Sequence, residues 1–127
     1  MSDGGWSSAA QMRAIFAQCG PSVHYPAGST IFTEGEEGGT MFIIRSGKVR
    51  MSIGDTELQI VGENHALGVQ SLIDGHDRST TATAIEDCEL AAINRRLFGI
   101  MVDEVPNFAR YVIGMLVARI RKMEATR

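Results

Sequence analysis

The sequence contains few of the features that would indicate a membrane protein or a disulfide-rich secreted protein. It has two cysteines in 127 residues, Cys19 and Cys88, and both lie in apolar surroundings, which favours a reduced, buried pair over a disulfide. No apolar run approaches the roughly 20 residues that a membrane-spanning helix needs. The N-terminal stretch MSDGGWSSAA lacks the basic and apolar regions of a signal peptide. We therefore expect a cytoplasmic protein with no membrane segment.

Charge and histidine content argue against further classes. The formal net charge of −3 provides no electrostatic footprint for nucleic acid, so we expect no nucleic-acid contact within this chain. The histidines, His24, His65 and His76, form no His-x-His or His-Glu-x-x-His cluster. The sequence also lacks a G-x-S-x-G elbow and any paired nucleophile and base. We expect no catalytic residue and no metal site, and therefore not an enzyme.

The central part of the chain has the spacing of strands and turns that is typical of a β protein. Short apolar or alternating runs between residues 23 and 93 are separated by glycine-containing turns at regular spacing, which predicts a sandwich or barrel. A length of 127 residues suits one domain with one core. The predicted strands cover residues 23–25, 29–32, 40–44, 48–53, 56–61, 79–85 and 90–93.

Helices are predicted on both sides of the strands. Ser8 and Gln11 have the spacing of a capping box, and Gly20-Pro21 ends the helical pattern that follows. This predicts an N-terminal helical segment within residues 1–20. On the C-terminal side, one short helix over 95–105 ends before Pro106, and a longer helix follows over 107–122.

The longer C-terminal helix has more apolar surface than one domain needs. Its apolar residues cover over half of its circumference, whereas a helix on a single core needs a stripe of about 100°. Residues with the a/d alternation of a coiled coil lie within that arc, and they predict a homodimer. The alternative is a single buried helix. The seam consists of Ala109, Ile113, Leu116, Ile120 and Met123, and the dimer contact is assigned to Ile113, Leu116 and Ile120.

The stretch over residues 67–84, LGVQSLIDGHDRSTTATA, has the features of a phosphate pocket. Gly68 precedes one or two helical turns over 69–73, and a glycine there lets a ligand approach the backbone closely. The free N–H groups of a helix terminus favour an anion, especially phosphate. Arg78 opens a Thr-rich run predicted as a strand, from which its planar fork of donors would close over the same anion.

These residues resemble the phosphate-binding cassette of the cyclic-nucleotide-binding domain family, whose pattern is roughly F-G-E-x-A-L, a short gap, then R-[SAT]-A-[ST]-V. The phrases PAGSTIFTEGEEGGTMFIIRSGKV and DCELAAINR also resemble that family. The resemblance implies one domain: a β jelly roll, that is, a cupin-like double-stranded β-helix barrel, over 21–94, with the N-terminal helix over 1–20 and a helical lid over 95–127. The matching or conservatively substituted cassette positions are Leu67, Gly68, Ser71, Leu72, Arg78, Ser79 and Thr81.

The resemblance implies a regulatory, ligand-sensing domain of signal transduction. Gly68 and the amides of Val69 and Gln70 would hold a cyclic phosphate, and Arg78 would be its counter-ion. The family's glutamate, which accepts a hydrogen bond from the ribose 2′-hydroxyl, falls on Val69, so we expect cyclic AMP and cyclic GMP to bind weakly. We expect the Gln70 side chain to point elsewhere, because its position in the family is apolar. The candidate ligand-binding residues are Gly68, Val69, Gln70, Ser71, Arg78, Ser79 and Thr80.

Two alternatives remain at this point. Arg78 would be merely structural if it paired with a nearby acid such as Asp74 or Asp77. The replacement of the family's glutamate by Val69 would also fit a degenerate relative, kept for dimerisation or protein contacts without nucleotide binding. Anion binding is the interpretation that the pairing of Gly68 with Arg78 favours, and the expected partner is a small phosphate-containing molecule.

Overall fold

The computed structural model describes Ile15 and residues 19–125. Of the predicted N-terminal helical segment over 1–20, only Ile15, Cys19 and Gly20 are described, and Ile15 has helical backbone geometry and packs against the core. The helices of the described part are α1 (Val69–Asp74), α2 (Arg95–Glu104) and α3 (Pro106–Ala125). The strands of that part are β1 (Ser22–Tyr25), β2 (Thr30–Phe32), β3 (Thr40–Ser46), β4 (Val49–Ile53), β5 (Thr56–Val61), β6 (Ala66–Leu67), β7 (Thr81–Ala84) and β8 (Cys88–Asn94).

The strands form two antiparallel four-stranded sheets. One has the order β1-β8-β3-β6 and the other the order β2-β7-β4-β5, so strands distant in sequence pair in both. This is a jelly-roll arrangement, and it confirms the predicted mainly β fold with C-terminal helices. The sheets share no paired strand, so the predicted barrel takes the form of two facing sheets without closure.

Strand β3 lies at the centre of the molecule, because both of its faces are buried. Successive side chains of a strand point to opposite faces. Met41 and Ile43 belong to a core formed with the helices, called the helix-side core below, whereas Phe42 and Ile44 belong to the core between the two sheets. The β1-β8-β3-β6 sheet is therefore the middle layer, with the second sheet on one side and the helices on the other.

The C-terminal helices follow the predicted bounds closely. The side chain of Asn94 caps α2 by accepting a hydrogen bond from the Leu97 N–H at 2.9 Å. Helix α2 ends before Pro106, and α3 buries Phe108 and Val112 against the helix-side core. No helix in the described residues is long and apolar enough to span a membrane.

The strand predictions agree with the structure except in two places. Strand β6 was not predicted, since two residues provide no readable period. The run predicted as a strand over 79–85 begins pairing only at Thr81, so Arg78 lies in the loop before β7. Asn64 adopts a left-handed backbone conformation, with φ 68°, which asparagine tolerates better than most other non-glycine residues.

Candidate functional site

A cavity of about 510 Å³ lies where α1, the β4–β5 hairpin and the C-terminal end of α3 meet. Its size falls in the range of small-molecule sites. Apolar side chains from both cores form its floor, and polar or charged side chains contribute to its wall. All seven candidate residues of the sequence stretch line it: Gly68, Val69, Gln70, Ser71, Arg78, Ser79 and Thr80.

Gly68 places the start of α1 directly against the Arg78 side chain. Its φ of +75° lies in the left-handed region, which glycine adopts without a Cβ penalty. A Cβ at this position would collide with Nη1 of Arg78. Helix α1 has only six residues, so the preference of this wall for an anion depends on the charge of Arg78 rather than on the helix terminus.

The backbone of Arg78 is held by the loop between β2 and β3, and not by a strand as predicted. This acidic loop contains Glu34, Glu36 and Glu37. The Arg78 N–H donates to the Glu36 carbonyl at 2.7 Å, and the Arg78 carbonyl accepts from the Gly35 N–H at 2.9 Å. The Glu36 carboxylate accepts the Thr33 N–H at 2.8 Å and so closes the loop on itself. This acidic loop therefore positions Arg78, and the sequence provided no sign of that role.

The Arg78 side chain is buried, with 6% of its surface exposed. Nη1 donates to the Gly68 carbonyl at 3.1 Å, and Nη2 donates to the Thr40 carbonyl at 2.6 Å. The guanidinium carbon lies 4.2 Å from the centroid of the Phe32 ring, a cation–π distance. Nε is buried and has no hydrogen-bond partner among the described residues.

No carboxylate forms a salt bridge with Arg78 within the described chain. Of the acids expected as its structural partners, Asp74 has its carboxylate 3.6 Å from His76 Nδ1, and neither Asp74 nor Asp77 forms a salt bridge with Arg78 in the described part of the chain. Burial lowers the pKa of the Arg78 guanidinium, while the negative charge of Glu36 opposes that shift. Arg78 is therefore a buried cation that no ion pair among the described residues neutralises, and such a group favours an anion beside it.

The Val69 and Gln70 side chains differ in environment. Val69 is 1% exposed and belongs to the helix-side core, although it also lines the cavity floor. Gln70 is exposed and lines the same cavity, and the expectation that its side chain points away from a bound ribose stays a prediction. One helical step of about 100° separates the two positions, which places one in the core and the other at the mouth.

Helix α3 supplies cavity residues that sequence reasoning missed. Arg119 and Lys122 line the cavity. His65, from the loop after β5, lies beside Arg119. Burial, and secondly the positive charge of Arg119, lower the pKa of His65. Tyr111 links the helix to the same loop by donating to the Asn64 carbonyl at 3.3 Å.

The arrangement is suited to binding a small anion. The cavity residues combine an apolar floor with cations, hydroxyls and backbone amides, and none of the described lining residues is acidic. Within residues 19–125, no cluster of His, Cys, Asp or Glu is arranged to hold a metal ion.

Comparison with known proteins places this geometry in a family. Residues 22–104 match the cyclic nucleotide-binding domain. The chain is 33% identical over 105 residues to the cyclic AMP receptor protein of Thermus thermophilus, an alignment that covers 79% of this chain and 49% of that protein. It is 29% identical over 105 residues to the CRP-like cAMP-activated global transcriptional regulator of Mycobacterium tuberculosis, covering 79% of this chain and 47% of that protein.

The solved structures agree with the sequence matches. The crystal structure of the Thermus thermophilus catabolite activator protein superposes with a TM-score of 0.81 and 28% identity, covering 93% of this chain and 58% of the other. The chain spans about half the length of the curated relatives it matches. The matched residues contain both sheets, the cassette and α2, so fold and sequence support the same assignment. The chain belongs to the cyclic nucleotide-binding domain family.

Proposed function

We propose that this domain is a regulatory sensor that binds a phosphate-containing small molecule in the cavity beside Arg78. The main observation behind this proposal is the buried guanidinium of Arg78, which forms no salt bridge among the described residues and whose Nε has no hydrogen-bond partner there. An arginine has five N–H donors, and the two hydrogen bonds to carbonyls leave Nη1 and Nη2 with further donors. Those donors, the Gly68 backbone and the hydroxyls of Ser79 and Thr80 are the contacts assigned to the phosphate.

Membership of the family supports this proposal, and the relatives named above are a cyclic AMP receptor and a cAMP-activated regulator. A regulatory, non-enzymatic role follows the same relatives. The degenerate alternative has less support, because a decayed pocket has no reason to keep a buried cation at its wall. The proposed ligand class comprises cyclic nucleotides and atypical phosphorylated compounds.

The proposal includes a homodimer through α3. One flank of this helix packs on the core through Phe108 and Val112. The opposite flank leaves Ile113 48% and Ile120 54% exposed, and Leu116 between them is half-buried against the helix-side core. Apolar residues at this spacing suit a second copy of the same helix. Because α3 also lines the cavity, ligand occupancy and the dimer contact share one element.

A thermal-shift screen of cyclic nucleotides and phosphorylated metabolites tests ligand binding. A ligand that binds only the folded state raises the free energy of unfolding by about 2.7 kcal/mol at a hundredfold excess over Kd. Truncating one partner of a buried, hydrogen-bonded charge pair costs about 2–5 kcal/mol, so Arg78→Ala should abolish the ligand-induced shift. Arg78→Lys retains the charge without the fork and should retain a weak shift.

Urea unfolding in ligand-free buffer separates binding from structure. Arg78 also holds the Gly68 and Thr40 carbonyls, so we expect Arg78→Ala to lower stability while the domain still folds. If Arg78→Ala unfolded the domain in ligand-free buffer, the arginine would be structural. If Arg78→Ala folded and kept the full ligand-induced shift, the proposed anion contact would be wrong.

A further inference from the structure

The cavity contains a second group of cations that the phosphate contact at Arg78 does not use. Arg119 and Lys122 lie three residues apart on α3, a spacing that places both on one helix face, and both line the cavity. Arg119 is half-buried there, and Lys122 is exposed. In the described part of the chain the salt bridges are His24–Glu89 and a His76–Asp74 contact, so neither cation is neutralised by one.

The charge balance of this cavity does not match a single cyclic phosphate. Arg78, Arg119 and Lys122 are positively charged, and none of the described lining residues carries a carboxylate. A cyclic phosphodiester carries one negative charge and leaves the charges on α3 without a partner. Their positive charge also acts on a neighbouring group, since Arg119 contributes to lowering the pKa of His65.

A solvated helix end is the simplest other explanation of these cations. Cations near a helix C-terminus interact favourably with the helix dipole, and Lys122 lies in the last turn of α3. That explanation applies equally to Arg121, which is exposed and does not line the cavity. It does not account for the half-buried position of Arg119 at the cavity wall beside His65.

We propose that the ligand carries two anionic groups, one bound at Gly68 and Arg78 and the other bound by Arg119 and Lys122. The inference rests on the proposed function and specifies its ligand class. Val69 agrees with it, because an apolar side chain replaces the carboxylate that would accept a ribose hydroxyl and would also repel a second anion. The cavity then selects its ligand by charge at two places rather than by the sugar.

Three nucleotides with the same adenosine test this inference by calorimetry at one salt concentration. Cyclic AMP and AMP each have one phosphate group, whereas adenosine 3′,5′-bisphosphate has two, attached to the same sugar atoms that cyclic AMP uses. We expect the bisphosphate to bind wild type about tenfold or more tightly than either of the others, since hydrogen bonds to charged groups are the strong ones. The double variant Arg119→Gln/Lys122→Gln should lose that advantage and change the affinities for AMP and cyclic AMP much less.

The controls separate this inference from the proposed function. Arg121→Gln removes a charge from the same helix end outside the cavity and should leave the preference for the bisphosphate intact. If AMP or cyclic AMP binds in an Arg78-dependent way and the bisphosphate binds no tighter, the two-anion inference is wrong and the proposed function stands. An equal loss for all three nucleotides in the double variant also overturns the inference. If none of the three binds at millimolar concentration, the two-anion inference is wrong, and the thermal-shift screen of phosphorylated metabolites decides the proposed function separately.

Discussion

Replacing Val69 by glutamate should restore ribose binding and weaken the fold at the same time. Val69 occupies the position where the family resemblance expects a glutamate, yet it is 1% exposed in the helix-side core. It also lines the cavity, so a longer side chain has a route toward a bound sugar. The two environments of this one position predict opposite effects on affinity and on stability.

The affinity gain follows from one hydrogen bond. A hydrogen bond to a charged group contributes about 1.5–3 kcal/mol, and each 1.4 kcal/mol is tenfold. Val69→Glu should therefore bind cyclic AMP about tenfold to a hundredfold more tightly than wild type. The affinity for 2′-deoxy cyclic AMP should not rise, because that analogue has no hydroxyl to donate. The bisphosphate should bind more weakly, since the new carboxylate repels it.

The stability loss follows from burial. Even after relaxation, a carboxylate transferred into the interior costs several kcal/mol, against a typical domain stability of about 5–15 kcal/mol. Urea unfolding should show a lower midpoint for Val69→Glu, and cyclic AMP should recover part of the loss. Val69→Gln has the same length without the charge and serves as the matched control, with a smaller change in both measurements.

Calorimetry on the wild-type protein tests the assignment of Val69 to the ribose position without any variant. We expect weak binding of cyclic AMP, with nearly equal affinity for its 2′-deoxy analogue. Micromolar or tighter binding of cyclic AMP by wild type, lost with the deoxy form, would mean that another group accepts the ribose hydroxyl. A folded Val69→Glu protein that fails to distinguish the two nucleotides would contradict the assignment of this position to the ribose.

Three further predictions concern assembly, the cassette and pH. Light scattering at micromolar concentration should give twice the 13.8 kDa chain mass for wild type and the mass of a monomer for Ile120→Glu. The control Ile100→Glu, at an exposed isoleucine of α2, should leave the dimer intact. Gly68→Ala should abolish ligand binding and lower the free energy of unfolding by about 1–2 kcal/mol or more, because the cost of its left-handed φ is added to the cost of the collision with Arg78. Gly75 has a similar φ of +76° with open space around its Cβ and provides the control. In denaturant unfolding, Gly75→Ala should show only the cost of the left-handed backbone. The lowered folded-state pKa of His65 means that the unfolded chain takes up its proton first, so urea midpoints should fall as pH drops below about 6.5, and His65→Gln should flatten that slope; an unchanged slope would exclude this histidine as the cause.

Local sequence signals were sufficient for most of the elements. Glycine turns, alternating apolar residues and Pro106 predicted seven strands and both C-terminal helices, because these signals act over a few neighbouring residues. The predicted strand at 56–61 has the observed bounds. The two-residue strand β6 has no such signal, since its pairing with Phe42 and Ile43 depends on a distant strand.

The position of Arg78 in a loop depends on a contact between segments that are distant in sequence. A Thr-rich run favoured a strand that begins at the arginine, but pairing begins at Thr81, because the loop before β3 holds the Arg78 backbone through Glu36. That contact joins segments about forty residues apart. Neither the period of the sequence nor its propensities encode which loop will lie beside which.

The sequence by itself determined the family and the cassette, and it predicted Gly68 and Arg78 as the candidate anion site. Gly68, Arg78 and their spacing are readable because glycine and arginine have distinct backbone and charge properties. Only the tertiary structure decided that Val69 lies in the core, that Gln70 lies at the mouth, and that Arg119 and Lys122 join the same cavity. The physical reason is that a cavity is formed by surfaces from several elements, and their mutual arrangement follows from the packing of two cores rather than from any one stretch of chain.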